Sequence, residues 1–203
     1  MRMVSRGRIA ALAASAALLF SFTQKSGAMD VQRTVPKAFT MTAGGAPIAG
    51  EQYHLRLHHL HTGESIDVVY RIGNTYVPAA LDRLNHFLRD HRTEDVKAYD
   101  PREFDVLHAL MESLGRPAGV IDIVCGYRTP WSNNFLRTRS ASTGVAEHSQ
   151  HMEAKAIDIR VPGVSTVKLR NAALALHAGG VGFYPMSQFV HVDVGPVRTW
   201  QYR

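Results

Sequence analysis

The chain contains a single cysteine in 203 residues, so it cannot form an internal disulfide. A fold without disulfides must be held together by core packing or by a metal. Cys125 ends the run Val120-Ile121-Asp122-Ile123-Val124, which is typical of a buried strand. No activating neighbour accompanies the thiol, so we interpret Cys125 as a small core residue rather than as a nucleophile.

The chain also lacks a strong excess of one charge once its N-terminus is set aside. The formal net charge of +6 comes from 23 basic and 17 acidic residues. Residues 1–28 contain four of the basic residues and no acidic one, which leaves 19 against 17, a balance of +2. No basic run with interleaved aromatic residues occurs. We therefore expect no nucleic-acid partner, because such partners require a concentrated basic face.

No apolar run reaches the roughly 20 residues that a membrane-spanning helix needs. The longest run, residues 10–22, follows a start with three arginines and leads to Ser26-Gly27-Ala28. This pattern predicts a secretory signal over residues 1–28 and no stable membrane span after its cleavage. If the segment were retained, it would tether the domain to the inner membrane.

The remainder of the chain predicts a linker and one domain. Residues 29–50 mix Thr, Pro, Gly and Ala without a sustained period, as a linker does, and residues 51–203 form the domain. Its segments predict an α+β fold, in which helices flank a small mixed or antiparallel sheet. Strands are predicted at Tyr53–Leu60, Ser65–Tyr70, Val120–Cys125, Ala156–Arg160, Val181–Tyr184 and Phe189–Val194. Helices are predicted at Pro78–His91, after the N-cap Asp100, near Asn133–Arg137, and at Ser165–His177, with Gly179-Gly180 ending the last.

Four histidines crowd the first predicted hairpin: His54, His58, His59 and His61. At this spacing on a strand the side chains point to both faces, so one metal site would need a bend in the strand. His-rich composition alone is a weak signal. We interpret these histidines as solvated or strand-paired.

A second group of donors, formed by His151, Asp158 and His191, has a pattern that favours a metal. Asp158 lies in the middle of an alternating strand with apolar neighbours, where an unpaired carboxylate is costly. His151 lies seven residues earlier, beyond a turn that allows the chain to fold back, and His191 shares a strand face with Asp193. Three such donors can hold a catalytic zinc and leave a fourth position for water. Two imidazoles and one carboxylate also suit manganese or cobalt.

Two further features concern the chemistry of this site. The chain contains no His-Glu-x-x-His motif, which excludes the helix-borne zinc peptidases as a template. Arg128 follows the strand that ends at Cys125, in a loop rich in turn residues. It can hold a substrate carboxylate, stabilise a developing oxyanion, or pair with a surface acid, and the loop alone leaves these roles open.

The donors resemble those of a known family. Ser149-x-His151, Ala156-x-Asp158 and a C-terminal strand histidine are similar to the zinc signature of the D-Ala-D-Ala carboxypeptidase and hedgehog-like peptidase superfamily. The closer resemblance is to the periplasmic murein endopeptidase K group. It is carried by His61-Thr62-Gly63-Glu64, Leu84-Asn85-His86-Phe87, Gly126-Tyr127-Arg128, Gly179-Gly180-Val181-Gly182 and Phe189-Val190-His191-Val192-Asp193, continuing to Trp200.

The resemblance implies the fold of that superfamily and a periplasmic zinc metallopeptidase. Its substrate would be the stem peptides of peptidoglycan, which it would cut at their cross-links during cell-wall growth or remodelling. The resemblance points to the L,D bonds between diaminopimelate residues as the bonds that are cut. The resemblance makes the three donors the zinc ligands. It also implies that Ser149, Arg128 and Tyr127 bind substrate, and that Arg128 takes part in catalysis.

Two departures from the family pattern leave questions open. Ala154 stands where the family usually has glycine, which costs of order 1 kcal/mol if φ is positive there. Gln188 stands where the superfamily often has a catalytic glutamate. Asp193 is then either the general base or a carboxylate that orients an imidazole. Both departures also favour an alternative function, a wall-binding or metal-binding module that keeps the fold without hydrolysis.

Overall fold

A computed structural model describes residues 50–139 and 143–202 of the chain. The predicted signal at residues 1–28 and the predicted linker, except Gly50, lie outside these residues. The strands described are β1 (Gln52–His59), β2 (Ser65–Ile72), β3 (Thr75–Tyr76), β4 (Ile121–Cys125), β5 (Ala156–Arg160), β6 (Gly180–Tyr184), β7 (Phe189–Asp193) and β8 (Arg198–Gln201). The helices described are α1 (Pro78–Phe87), α2 (Arg102–Ser113), α3 (Pro130–Thr138), α4 (Thr166–Leu176) and a short 3-10 helix, Gln150–Glu153.

The strands form one mixed sheet in the order β3-β2-β1-β4-β5-β7-β6-β8. The pairs β1–β4 and β6–β8 are parallel, and the other neighbouring pairs are antiparallel. Both predicted hairpins, β1–β2 and β6–β7, are present. The predicted α+β class is therefore confirmed. Within the described ranges, no helix combines the length and the apolar character needed to cross a membrane.

The alternation of β5 separates the core from the polar face of the sheet. Ile157 and Ile159 are fully buried in a core cluster that includes Phe104 of α2 and Leu169 of α4. Each such side chain contributes about 1.5–3 kcal/mol of burial free energy. Asp158, between the two isoleucines, therefore points to the opposite face of the sheet.

Helix α1 ends earlier than predicted, and α4 is capped by a different residue from the one predicted. Helix α1 stops at Phe87 instead of His91. The carbonyl of Leu88 accepts a hydrogen bond of 2.8 Å from the backbone N–H of Tyr127, so this carbonyl serves a tertiary contact. A Cβ at Gly126 would lie 2.5 Å from the same oxygen, which explains the glycine. Helix α4 ends at Leu176, within one residue of the predicted end. Its C-cap is His177, in the left-handed conformation with φ 50°, and not the predicted Gly179-Gly180, since Gly180 begins β6.

Helix α3 is longer than predicted, because it starts at Pro130 directly after an N-cap residue. The hydroxyl of Thr129 accepts a hydrogen bond of 3.1 Å from the backbone N–H of Ser132. A proline in the first turn loses no helical hydrogen bond, so this start is favourable.

Candidate metal centre

Strand register brings two of the predicted donors side by side. Asp158 of β5 is the direct partner of His191 of β7, and Gly182 of β6 is the partner of His191 on its other side. Directly paired side chains lie about 5 Å apart, close enough to share an ion. A Cβ at Gly182 would lie 2.6 Å from the indole of Trp200. The glycine therefore leaves room for this indole, whose ring centre is 5.1 Å from that of His191.

A tight turn returns the third donor, His151, to the same place. His151 lies in the 3-10 helix, and Ala154 ends that helix in the left-handed conformation, with φ 50° and ψ 46°. The N–H of Lys155 donates to the carbonyl of Gln150 at 3.1 Å and closes the turn. Ala154 thus carries the positive φ anticipated from the family pattern, at a cost of order 1 kcal/mol.

The three donor atoms form a small triangle. Nε2 of His151 lies 3.1 Å from Nδ1 of His191 and 3.2 Å from Oδ1 of Asp158, and the latter two atoms are 2.9 Å apart. Tetrahedral ligands at about 2.0–2.1 Å from zinc lie roughly 3.3 Å from one another. The triangle therefore matches one face of such a site.

The hydrogen bonds on the far side of each ring decide which nitrogen carries a lone pair. Nδ1 of His151 lies 2.8 Å from the carbonyl oxygen of Gly126, so it is the protonated nitrogen and donates. Nε2 of His191 lies 2.9 Å from Oδ2 of Asp193 and donates to that carboxylate. In the neutral rings, both remaining nitrogens and the oxygen of Asp158 are acceptors aimed at one point. Three converging acceptors fit a cation and no hydrogen-bond donor.

The electrostatics of the site agree with this arrangement. Burial, and next the charge of Arg128, lower the pKa of His151 to about 4, so this imidazole stays neutral and able to coordinate. Burial alone would raise the pKa of Asp158, but His151 and His191 hold it well below its usual range. Burial opposes charge at His191, yet Asp158 and Asp193 raise its pKa. The same two carboxylates favour a cation at the triangle.

Asp193 lies behind His191 and not in front of the donors. It is 1% exposed, and its Oδ1 accepts hydrogen bonds from the N–H groups of Gly180 (3.1 Å) and Gly195 (2.8 Å). Arg198 binds both carboxylate oxygens, at 3.0 and 2.7 Å. These donors and His191 together occupy the carboxylate. The geometry therefore favours the orienting role for Asp193 over the general-base role.

The donors open onto a cavity of about 190 Å³. Among the described residues, Asp158 supplies the only carboxylate in its lining, and His148, also in the lining, is exposed. Arg128 lines the cavity and is 7% exposed. Its Nη2 donates to the hydroxyl of Ser149 at 3.2 Å, and its Nε has no partner in the described structure.

One of the roles left open for Arg128 was pairing with a surface acid. None of the ion pairs among the described residues involves Arg128, so the structure does not support that role. A largely buried guanidinium that lines a cavity and pairs with no acid favours an anionic or developing negative charge as its partner. Ser149 lines the same cavity and also accepts from the N–H of His151 at 3.3 Å.

Three other residues of interest do not line the cavity. Tyr127 is not in the cavity lining, and its ring lies beside the ammonium group of Lys97 at 5.8 Å, which gives no support to a substrate-binding role. Gln188 lies exposed in the β6–β7 turn with φ 56°, outside this cavity. Burial raises the pKa of Cys125 to about 12, so it remains a thiol, although its sulfur is within 4.8 Å of donor atoms of His151 and Asp158.

Sequence reasoning assigned no role to Arg198, because β8 was not predicted and five residues separate this arginine from Asp193. The signal available was Gly180: a Cβ there would collide with both the guanidinium of Arg198 and the carboxylate of Asp193. A glycine beside an apolar strand indicates such a close approach, but it does not identify the group that approaches.

A family model and several known proteins match this chain, and they are described in the same terms. The model of the family Peptidase_M15_2, described as peptidoglycan L,D-endopeptidase MepK, matches residues 48–200. Peptidoglycan L,D-endopeptidase MepK of Escherichia coli (strain K12) is 45% identical over 146 residues, which are 72% of this chain and 79% of that protein. The probable peptidoglycan L,D-endopeptidase MepK of Haemophilus influenzae is 41% identical over 147 residues, 72% of this chain and 78% of that protein. No solved structure matches the chain.

Proposed function

The chain belongs to the peptidoglycan L,D-endopeptidase MepK family, and we propose that it hydrolyses L,D peptide cross-links of peptidoglycan at the cavity above His151, Asp158 and His191. The bond is that between two diaminopimelate residues of neighbouring stem peptides. The observation that carries the proposal is the triangle of three acceptor atoms, 2.9–3.2 Å apart, at the floor of a cavity edged by Arg128.

Zinc is the metal we propose for this centre, with His151, Asp158 and His191 as its protein ligands. Two imidazoles and a carboxylate are typical donors of a catalytic zinc that keeps a position for water. A zinc ion held there would lower the pKa of a bound water towards about 7 and polarise the scissile carbonyl.

Asp193, Arg128 and Ser149 orient a ligand of the metal or stabilise negative charge on the substrate. Asp193 accepts the Nε2–H of His191, and so fixes the ring with Nδ1 towards the donors. Arg128, supported by Ser149, stabilises the negative charge that develops on the carbonyl oxygen or holds a carboxylate of the stem peptide. The non-hydrolytic alternative is weakened, because Gln188 lies outside the cavity and Ala154 adopts the required turn, so neither departure removes a donor.

We extend the proposal to the fold family of the domain and to its location in the cell. The sheet and its metal triangle are those of a hedgehog-like or D-Ala-D-Ala peptidase fold. Residues 1–28 direct export to the periplasm, where peptidoglycan is, and residues 29–50 link the domain to that segment. Retention of the segment would keep the enzyme at the inner membrane.

Digestion of purified cross-linked muropeptides tests this function. We expect new monomers by mass spectrometry with the wild-type protein, their loss in the presence of a chelator, and their return when zinc is added. His151→Ala should produce no detectable monomers while keeping the circular dichroism spectrum of the wild type. His61→Ala, which removes an exposed imidazole outside the cavity, is the matched control and should cut normally. Full activity of His151→Ala, or of the chelated protein, would refute the proposal.

A further inference from the structure

Tyr184, the last residue of β6, contributes a phenol to the wall of the cavity above the metal donors. It lies two positions after Gly182, the strand partner of His191, so its side chain is on the same face of the sheet as that ligand. The strand partner of Tyr184 is Phe189, and the two rings stack with centres 4.3 Å apart and planes within 14°. The phenol ring is therefore held in a fixed position on the donor side of the sheet.

The hydroxyl of Tyr184 accepts one hydrogen bond and keeps its own proton available. Nε1 of Trp200 lies 3.0 Å from the phenol oxygen, and an indole nitrogen can only donate. The phenol oxygen is therefore the acceptor, and the O–H of Tyr184 needs a different partner. None of the hydrogen bonds among residues 50–139 and 143–202 uses this proton. Because Tyr184 lines the cavity, a molecule bound there can accept it.

This hydroxyl lies close to the metal donors. The ring centre of Trp200 is 5.1 Å from that of His191, and the same indole holds the Tyr184 hydroxyl through its nitrogen. One indole ring thus spans the gap between a metal ligand and the phenol. Burial, and then the negative charge of Asp158, raise the pKa of Tyr184, so the phenol stays protonated at neutral pH and within electrostatic reach of a second ligand.

Tyr184 and Arg128 lie on opposite sides of the metal donors. The sheet order β4-β5-β7-β6 places Asp158 and His191, on the two middle strands, between the loop that follows β4 and the end of β6. Arg128 belongs to that loop, and Tyr184 ends β6. A carbonyl group bound at the triangle would therefore have the guanidinium on one side and the phenol on the other.

We propose that the Tyr184 hydroxyl donates a hydrogen bond to the scissile carbonyl oxygen and stabilises the negative charge that this oxygen gains when water attacks. The inference rests on the proposed function, because it requires an amide bond held at the triangle. Tyr184 transfers no proton in this step: water supplies the oxygen added to the carbonyl carbon and the proton taken up by the leaving amine. A donor that is oriented in advance favours the tetrahedral state over the bound substrate.

A purely structural role is the alternative for this hydroxyl, as the acceptor that holds the indole of Trp200. That role predicts a loss of stability or of zinc affinity when the hydroxyl is removed. The catalytic role predicts a loss in the chemical step alone, because the ring of Tyr184 would keep its stacking on Phe189 in the absence of the hydroxyl.

The variant Tyr184→Phe removes the hydroxyl and keeps the ring. On a cross-linked dimer of stem peptides we expect its kcat to fall about 100-fold with KM unchanged, as for loss of one donor to an oxyanion. Trp200→Phe should lower kcat less, since the hydroxyl remains and only its fixed orientation is lost. Tyr53→Phe, which removes an exposed phenol hydroxyl bonded to Glu51 outside the cavity, is the matched control and should keep the wild-type kcat.

A binding assay separates the hydroxyl's effect on the transition state from hydrolysis itself. A phosphinate analogue of the cross-link places a tetrahedral, negatively charged group where the attacked carbonyl would be. Tyr184→Phe should bind this analogue about 100-fold more weakly than the wild type, the same factor as in kcat. Its zinc affinity, measured by competition with a chromophoric chelator, and its thermal denaturation midpoint should not change.

Three results would overturn the inference: a wild-type kcat for Tyr184→Phe, a higher KM at unchanged kcat, or a loss of zinc affinity that accounts for the lower rate. Each of them leaves the proposed function intact, because the wild-type protein still cuts the dimer. If the wild-type protein cuts no cross-linked dimer, the proposed function fails, and the role of Tyr184 fails with it.

Discussion

Two clusters of histidines in this molecule each contain a buried imidazole with a lowered pKa, His59 in one and His151 in the other, yet only one cluster has the geometry of a metal site. In the cluster of His151, Asp158 and His191, each ring donates its outer N–H to an acceptor, the carbonyl of Gly126 or the carboxylate of Asp193. The inner nitrogens are left as acceptors that meet at one point. Ring orientation is therefore set by groups that lie behind the donors.

The second cluster, His59, His61 and His91, has the opposite arrangement. His59 is fully buried, and its Nδ1 accepts from the backbone N–H groups of His61 (3.2 Å) and Thr62 (3.4 Å). Nε2 must then carry the hydrogen, and it has no partner in the described structure. His61 and His91 stack with ring centres 4.2 Å apart and planes within 12°. Lone pairs lie in the ring planes, so those of stacked rings cannot meet.

The difference shows that a lowered pKa does not identify a metal ligand. The pKa of His59 falls to about 4 through burial and the neighbouring His61, the same value that burial and Arg128 give His151. The remaining histidines of the first hairpin pair across strands: His54 with Asp67 and His58 with Asp122, each at 3.3 Å. The strand-paired interpretation is confirmed for these two, and His59 is buried and not solvated.

Removal of one donor should have the largest effect. We expect His191→Ala to lower zinc affinity by at least about 100-fold, beyond the 10–100-fold range for loss of an outer partner, and to abolish hydrolysis. Competition with a chromophoric chelator measures the affinity. Cys125→Ala is the control, since its thiol is neutral and lies near the same donors; it should bind zinc within threefold of wild type. If Cys125→Ala loses the metal and His191→Ala keeps it, the donor set assigned above is wrong.

Removal of the orienting carboxylate should have an intermediate effect. Asp193→Asn places an amide against Arg198 and His191, so the ring of His191 loses its fixed orientation. We expect zinc affinity and kcat/KM to fall together by about 10–100-fold. Asp122→Asn, at a partly exposed aspartate beside His58, is the matched control and should change neither quantity. A variant of Asp193 that keeps full zinc affinity but loses the alkaline or acidic limb of its pH–rate profile would instead identify a general base.

The smallest expected effect is on the free energy of unfolding and its pH dependence, through His59 of the second cluster. Unfolded histidine takes up a proton below about pH 6.5, whereas folded His59 does so only near pH 4. Because the unfolded state binds more protons between these values, stability should fall as the pH drops from 6.5 to 4, by of order 3 kcal/mol from this residue.

The variant His59→Asn isolates that contribution. The asparagine oxygen can accept the two backbone N–H groups without titrating, so denaturation midpoints of the variant should depend less on pH than those of the wild type. Both proteins are compared with the same chelator present, which removes the metal site from the difference. Parallel pH profiles would show that His59 does not remain neutral in the folded protein.

The helices and strands were predictable wherever local chemistry decides. Alternation located β5 and β7, and the predicted helix start at Ser165 is confirmed, because its hydroxyl accepts from the N–H of Lys168 three positions away. Thr129 caps α3 in the same way but was not predicted to do so. The prediction failed at the end of α1 and at the cap of α4. Tyr127, nearly 40 residues after Leu88, binds the Leu88 carbonyl, and His177 itself adopts the left-handed conformation assigned to the glycines beyond it.

Local sequence patterns specify which atoms are available: three donors on a strand, a turn and a second strand, with isoleucines and valines that specify which side of each strand faces the core. The folded arrangement specifies how these atoms are used. Register sets Asp158 beside His191, and partners as distant as Gly126 and Arg198 decide which nitrogen is free and what Asp193 does. The reason is physical: side-chain period depends on neighbours in the chain, whereas tautomer, charge and orientation depend on hydrogen bonds between segments brought together by folding.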